Sequence, residues 1–140
     1  MLKIEKTAFE QMKAHAEATY PNECVGAMLG RNENGNKLVD RSVKLENSAE
    51  GSQRAYYQLS NEHLLEADKA ARAQGRELIG IYHSHPDADA YFSETDLKNS
   101  CPWYSFVVLS IRGGKYDHSN SWLPDFEQTK ADNEELQIGD

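Results

Sequence analysis

The feature that most constrains this chain is a very apolar run that ends in histidines, within GIYHSHPDADAYFSETDLKN (residues 80–99). The five residues LIGIY before the histidines carry no charge and predict a buried central strand, which the following proline should end. Side chains alternate along a strand, so His83 and His85 are predicted to project to one face, about 6–7 Å apart at the backbone. Ile79 and Ile81 are predicted to share that face.

A carboxylate that can supply a third metal ligand follows the histidines after a short loop. Ser93 and Asp96 stand three residues apart and are predicted to lie on one face of a helical turn. Two imidazoles and one carboxylate form an open, catalytic type of zinc site, because the fourth position is left to water. A structural interpretation stays open, since Ser93-Glu94-Thr95-Asp96 is also an ordinary capping box. The two roles are compatible, and the closeness of both parts in sequence favours the metal site.

The remaining patterns predict an α/β fold, with a central mixed, largely antiparallel sheet flanked by helices. Capping and stop signals predict a first helix from about Thr7 to Thr19 and a second, capped by Ser60, from about residue 61 to 74. Two-residue turns at Asn34-Gly35 and Gly113-Gly114 predict hairpins. The predicted strands besides the central one are CVGAMLGR, KLVDRSVKL, AYYQLS, YSFVVLSIR and KYDHSNSWL.

Length and charge limit the possible partners and compartment. The 140 residues predict one domain, residues 1–124, followed by an acidic tail, residues 125–140, that is mobile or a loosely docked last turn. The net charge of -8 speaks against nucleic acid, and no apolar run is long enough to span a membrane. Two cysteines, and an N-terminus unlike a signal peptide, predict a cytoplasmic protein.

The spacing of these residues resembles the motif of the JAMM (MPN+) metalloproteases. His83-Ser84-His85-Pro86, the short loop to Ser93, and Ser93-x-x-Asp96 follow that motif. The family also has an upstream glutamate near the end of the first helix, where YPNECVGAMLG supplies Glu23 just before the first predicted strand. The resemblance covers most of the chain and is strongest to the compact prokaryotic members.

The resemblance implies a role for each motif residue. His83, His85 and Asp96 would bind one catalytic zinc ion, and Glu23 would be the general base toward the attacking water. Ser93 would help position that water and stabilise the oxyanion. Ser84, on the other strand face, is interpreted as structural. The aromatic residues expected near the site, as core or as groove walls, are Tyr91, Phe92, Trp103 and Tyr104.

The resemblance also implies the substrate class. Family members cut peptide or isopeptide bonds after the C-terminal Gly-Gly of ubiquitin or its relatives, and the compact prokaryotic members act on ubiquitin-like sulfur-carrier proteins. Two alternatives stay open: a non-catalytic MPN scaffold, and a phage- or defence-associated peptidase acting on another tag or peptide. The presence of all five motif residues favours an enzyme. The oligomeric state and the kind of bond that is cut are left open.

Overall fold

The structure is a computed structural model that describes residues 1–47 and 61–139. The predicted strand AYYQLS and the predicted cap Ser60 lie outside the described residues. In chain order the described elements are β1 (Leu2–Ile4), α1 (Lys6–Thr19), β2 (Val25–Glu33), β3 (Asn36–Leu45), α2 (Asn61–Ala73), β4 (Glu77–Pro86), α3 (Glu94–Lys98), β5 (Ser105–Arg112), β6 (Lys115–Pro124), β7 (Ala131–Glu134) and β8 (Leu136–Ile138).

The described strands form one mixed sheet in the order β7-β6-β5-β4-β2-β3-β1-β8, which confirms the predicted fold class. The histidine-bearing strand β4 lies in the interior of this sheet, antiparallel to β2 and parallel to β5. Both predicted hairpins are present. At the first turn Asn34 and Gly35 have φ angles of 54° and 86°, the conformation that Asn-Gly adopts readily.

The two longer helices cover different parts of the core. Helix α1 packs Ala8, Phe9, Met12 and Ala16 into a cluster with residues of the inner strands, including Ile79 and Tyr82. Helix α2 places Ala67 and Ala71 in a second cluster, which contains Ile81 and Phe106. The central sheet therefore buries apolar side chains on both faces, which explains why β4 reads as an unbroken apolar run.

A β-bulge places Ile79 on a different face of the sheet from the predicted one. The register between β2 and β4 shifts from Met28↔Gly80 to Leu29↔Leu78, so Ile79 is the extra residue. Ile79 joins the α1 cluster, whereas Ile81 joins the α2 cluster. The prediction that Ile79 shares a face with Ile81 and the histidines is wrong, because a bulge interrupts the alternation of side chains at that point.

The start of α1 also differs from the prediction. The N-cap is Glu5, without a side-chain capping bond, and the proposed capping box at Thr7 is wrong. Strand β1, which was not predicted, pairs with β3 just before the helix begins. The Glu5 N–H continues this pairing by donating to the Val39 carbonyl. Tertiary pairing therefore sets the first residue of the helix.

The acidic C-terminal segment is part of the sheet. Strand β7 pairs with β6 at one edge, and β8 pairs with β1 at the other, with only Glu135 between the two strands. The prediction of a mobile tail is therefore wrong for residues 131–138, which we call the C-terminal strap. The position of a domain boundary at residue 124 stays a prediction.

None of the helices described within residues 1–47 and 61–139 combines the length and the apolar character that crossing a bilayer requires.

Candidate metal centre

Four predicted site residues converge at the end of β4. Donor atoms of Glu23, His83, His85 and Asp96 all lie within 4.8 Å of one another, and all four residues are buried. The two Nε2 atoms of His83 and His85 are 3.3 Å apart. The Asp96 carboxylate meets both rings, with Oδ1 3.2 Å from the Nε2 of His83 and Oδ2 2.9 Å from that of His85.

The hydrogen bonding of His85 indicates that this cluster suits a cation. Its Nδ1 lies 2.9 Å from the Asp89 carbonyl oxygen, which can only accept, so Nδ1 carries the proton. In a neutral ring, Nε2 then presents a lone pair to the Asp96 carboxylate and to the Nε2 of His83. Lone pairs and carboxylate oxygens crowded together repel one another unless a positive charge lies among them. The donor set of Glu23, His83, His85 and Asp96 therefore fits a metal ion.

The buried location changes the protonation equilibria of the cluster. Burial lowers the pKa of His83, which favours the neutral, metal-binding imidazole. Burial alone would raise the pKa of Asp96, but its interactions with His83 and His85 outweigh burial and lower that pKa. Burial, and secondarily the Asp96 charge, raises the pKa of Glu23 to about 9. Glu23 Oε1 is buried and has no hydrogen-bond partner among the described residues.

Ser93 both caps α3 and lines the open side of the cluster. Its Oγ accepts from the Asp96 N–H, and the Asp96 carboxylate accepts from the Ser93 N–H, both at 3.0 Å, which confirms the capping box. Ser93, Glu23 and His85 border a cleft of about 350 Å³. The other residues lining this cleft are Pro86, Ala88, Tyr91 and Thr95. The cluster is therefore open to the cleft on this side.

Three side chains on β6 hold the loop that orients His85, and the sequence interpretation missed them. The Ala90 N–H donates to His118 Nε2, and the Ala90 carbonyl accepts from Asn120 Nδ2 and Trp122 Nε1, all at 3.1 Å. Ala90 follows Asp89, whose carbonyl meets His85. The available signal was the i, i+2, i+4 spacing on one face of the strand, but nothing local indicates what that face contacts.

The predicted aromatic walls divide between cleft and core. Tyr91 is half exposed and meets the His85 ring edge-on, with centroids 4.9 Å apart. Phe92 and Tyr104 pack against the α2 cluster, and Trp103 is largely exposed but does not line the cleft. Cys24 belongs to the α1 cluster, and burial raises the pKa of its thiol to about 12, which excludes a thiolate at neutral pH.

Comparisons with known proteins agree with this geometry. A probable TtuB-protein conjugate cleaving protease of Thermus thermophilus is 32% identical over 113 residues, covering 81% of this chain and 72% of that protein. A CysO-cysteine peptidase of Mycobacterium tuberculosis is 31% identical over 113 residues, covering 80% of this chain and 75% of the relative.

Solved structures show the same fold. Protein DSY2949 from Desulfitobacterium hafniense has a TM-score of 0.86 at 28% identity, covering 100% of this chain and 94% of that one. AF2198, a JAB1/MPN domain protein from Archaeoglobus fulgidus, has a TM-score of 0.62 at 14% identity and covers 99% of both chains. The sequence profile of prokaryotic homologues of the JAB domain matches residues 5–124. The resemblance stated from the motif is thereby confirmed, and this chain belongs to the prokaryotic homologues of the JAB domain.

Proposed function

We propose that this chain is a zinc-dependent peptidase that cleaves after the C-terminal Gly-Gly of a ubiquitin-like or sulfur-carrier protein. The observation that carries the proposal is the buried group of Glu23, His83, His85 and Asp96 beside an open cleft. The two relatives described above are named as a TtuB-protein conjugate cleaving protease and a CysO-cysteine peptidase. Both names describe cleavage of a conjugate, which supports a peptidase of this kind for the present chain.

Zinc is the metal that best fits the donor set. His83, His85 and Asp96 offer two imidazole nitrogens and a carboxylate, a ligand set found in catalytic zinc sites that keep one position open. When bound, zinc supplies a Lewis acid that polarises the scissile carbonyl and lowers the pKa of water at the site to about 7. The Asp89 carbonyl fixes the ring of His85 so that Nε2 faces the cluster.

Glu23 is the proposed general base. Its carboxylate borders the cleft, and its Oε1 has no hydrogen-bond partner in the described part of the chain, so it can accept a proton from the attacking water. Burial raises the pKa of Glu23 to about 9, whereas a cation held by the neighbouring ligands acts in the opposite direction. The two effects oppose each other: the cation favours the carboxylate that takes the proton from water, and burial favours its release to the leaving amine.

Ser93 is the proposed oxyanion donor. Its Oγ accepts from the Asp96 N–H, which leaves the hydroxyl proton available for a substrate oxygen in the cleft. A donor aimed at a developing oxyanion contributes about 3–4 kcal/mol of transition-state stabilisation in other hydrolases. The capping bond holds that hydroxyl in place. Ser93 therefore caps α3 and also presents its hydroxyl to the cleft.

The proposal is tested with zinc-loaded protein and a panel of carrier proteins, each extended by a few residues beyond Gly-Gly. Intact-mass measurements should show loss of the extension with the wild type, and no loss with Glu23→Gln or after chelation. Exposed Glu10→Gln serves as the matched control and should cleave normally. Cleavage that survives Glu23→Gln would refute the assigned base. Failure of the loaded wild type to cut any carrier would refute the substrate class and favour another tag or peptide.

A further inference from the structure

The peptide unit that follows Glu23 is held from both sides by side chains. Its carbonyl, that of Glu23, accepts a hydrogen bond from Asn47 Nδ2 at 3.2 Å. Its N–H, that of Cys24, donates to Ser84 Oγ at 2.8 Å. One peptide plane is therefore tied to the residues just beyond β3 through Asn47 and to β4 through Ser84. We call this pair of bonds the peptide clamp.

The contact with Ser84 departs from regular sheet pairing. The ladder between β2 and β4 ends at Val25↔His83, and the next pair along the two chains is Cys24 with Ser84. The Ser84 N–H donates to the Cys24 carbonyl at 3.3 Å, as a regular ladder requires. The return bond is different, because the Cys24 N–H is satisfied by the Ser84 hydroxyl rather than by a backbone carbonyl. The Ser84 side chain thus terminates the ladder at Cys24, the residue that follows Glu23.

This termination matters because Glu23 lies outside any regular element. Strand β2 begins at Val25, and helix α1 ends at Thr19. A pinned peptide plane fixes where the Glu23 side chain starts and in which direction it leaves the backbone. Its buried Oε1 has no hydrogen-bond partner among the described residues to restrain the far end. Among the described residues, the peptide clamp is therefore what restrains the position of the Glu23 carboxylate.

We propose that Ser84 and Asn47 are positioning residues for Glu23, so that the middle serine of His-Ser-His is part of the catalytic design. The inference rests on the proposed function, in which Glu23 is the base. Ser84 lies between the two histidines but is turned to the other face of the strand. One strand thus presents the metal ligands on one side and orients the base from the other. The proposal adds a positioning role to the structural interpretation of Ser84.

The test uses full-length zinc-loaded protein carrying Ser84→Ala, Asn47→Ala or both. A misplaced catalytic group costs up to about 100-fold in rate, so each single variant should lower kcat about 10- to 100-fold while KM and zinc content stay unchanged. Ser84→Thr, which keeps the acceptor oxygen, should restore most of the activity. Ser121→Ala is the control, since it removes a buried hydroxyl whose partner is Glu134. Its kcat should equal that of the wild type.

A second readout does not depend on turnover. Because the Cys24 N–H loses its acceptor in Ser84→Ala, hydrogen exchange of that amide should become faster, while the neighbouring Val25 amide is unaffected. Because both side chains hold one peptide plane, the double variant should lose less activity than the product of the two single losses. When Ser121→Ala is combined with Ser84→Ala or Asn47→Ala, the activity loss should instead equal the product of the two single effects.

The outcomes separate the inference from the function on which it rests. Full activity in Glu23→Gln would refute the proposed role of Glu23 itself. An inactive Glu23→Gln together with wild-type kcat in Ser84→Ala and Asn47→Ala would overturn only the positioning role. Loss of zinc in the Ser84→Ala variant, without recovery in Ser84→Thr, would also overturn it, because it would indicate general damage to β4.

Discussion

Removing Glu134 tests whether the C-terminal strap is a structural part of the fold. Glu134 lies on β7 with its side chain 3% exposed, 3.2 Å from Lys37 Nζ. Its Oε1 accepts from Ser105 Oγ at 2.8 Å and from Ser121 Oγ at 2.9 Å. One carboxylate thus joins strands β3, β5 and β6 to the strap. The substitution Glu134→Ala leaves Lys37 and two buried hydroxyls without this acceptor.

The expected loss follows from these contacts. Removing one partner of a buried ion pair costs about 3–5 kcal/mol, because the remaining charge is left uncompensated. Lys37 is 14% exposed and keeps a contact with Ser105, which places the cost toward the lower end of that range. We therefore expect Glu134→Ala to lower the free energy of unfolding by about 3 kcal/mol. Glu134→Gln should cost less, since the amide oxygen still accepts from both serines.

Urea unfolding of the metal-loaded protein measures this loss. Glu135→Ala is the matched control, because it removes the same charge from the same strap at an exposed position. The control should change the free energy of unfolding by no more than about 0.5 kcal/mol. Equal stabilities of Glu134→Ala and Glu135→Ala would refute the reasoning and would support the loosely docked tail that the composition predicted.

Three further predictions concern the sheet and the site. The Asp40 carboxylate accepts two hydrogen bonds from Arg76, which lower the pKa of Asp40. The stabilisation is therefore present above the unfolded pKa of about 3.9 and is lost as the pH falls through the folded pKa. Asp40→Asn should lower the urea midpoint at pH 7 and match the wild type near pH 2, and a difference that does not change with pH would contradict this. A Cβ at Gly26 would overlap the Tyr82 ring, so Gly26→Ala should lower the free energy of unfolding by about 1–3 kcal/mol. Tyr82→Leu should recover part of this loss, and an unchanged melting temperature of Gly26→Ala would show that the ring moves freely. Asn120→Ala removes a hydrogen bond to the Ala90 carbonyl, next to the Asp89 carbonyl that orients His85. We expect it to weaken zinc affinity about tenfold, measured in competition with a chromophoric chelator. Equal affinities would show that the loop does not need this hydrogen bond.

The parts of the fold with strong local signals were predictable from the sequence. The Asn34-Gly35 turn, the apolar β4 and the Ser93 capping box depend on neighbouring residues and were predicted correctly. The convergence of His83, His85 and Asp96 also follows from strand alternation and a short loop. Glu23 needed the family resemblance, because a single glutamate before a strand carries no local sign of a partner about 60 residues away.

The parts that failed depend on contacts between distant segments. The C-terminal strap is mostly polar and forms strands because β1 and β6 offer unpaired edges and Glu134 finds buried partners. The bulge at Ile79 and the start of α1 are likewise set by neighbouring strands. Local composition does not report such pairing, so the acidic residues were interpreted as a solvated tail.

The C-terminal strap also has a consequence for the order in which the molecule assembles and opens. Pairing of Leu2 with Leu136 closes almost the whole chain into one loop, and such distant contacts carry a large loop-closure entropy and form late. The hairpins and the β2–β4–β5 body, which carries the histidines, do not need that closure. We expect native-state hydrogen exchange to show β1, β7 and β8 opening together at a lower free energy than β4. Exchange of β4 at the same free energy as β8 would show instead that the C-terminal strap and the metal centre unfold as one cooperative unit.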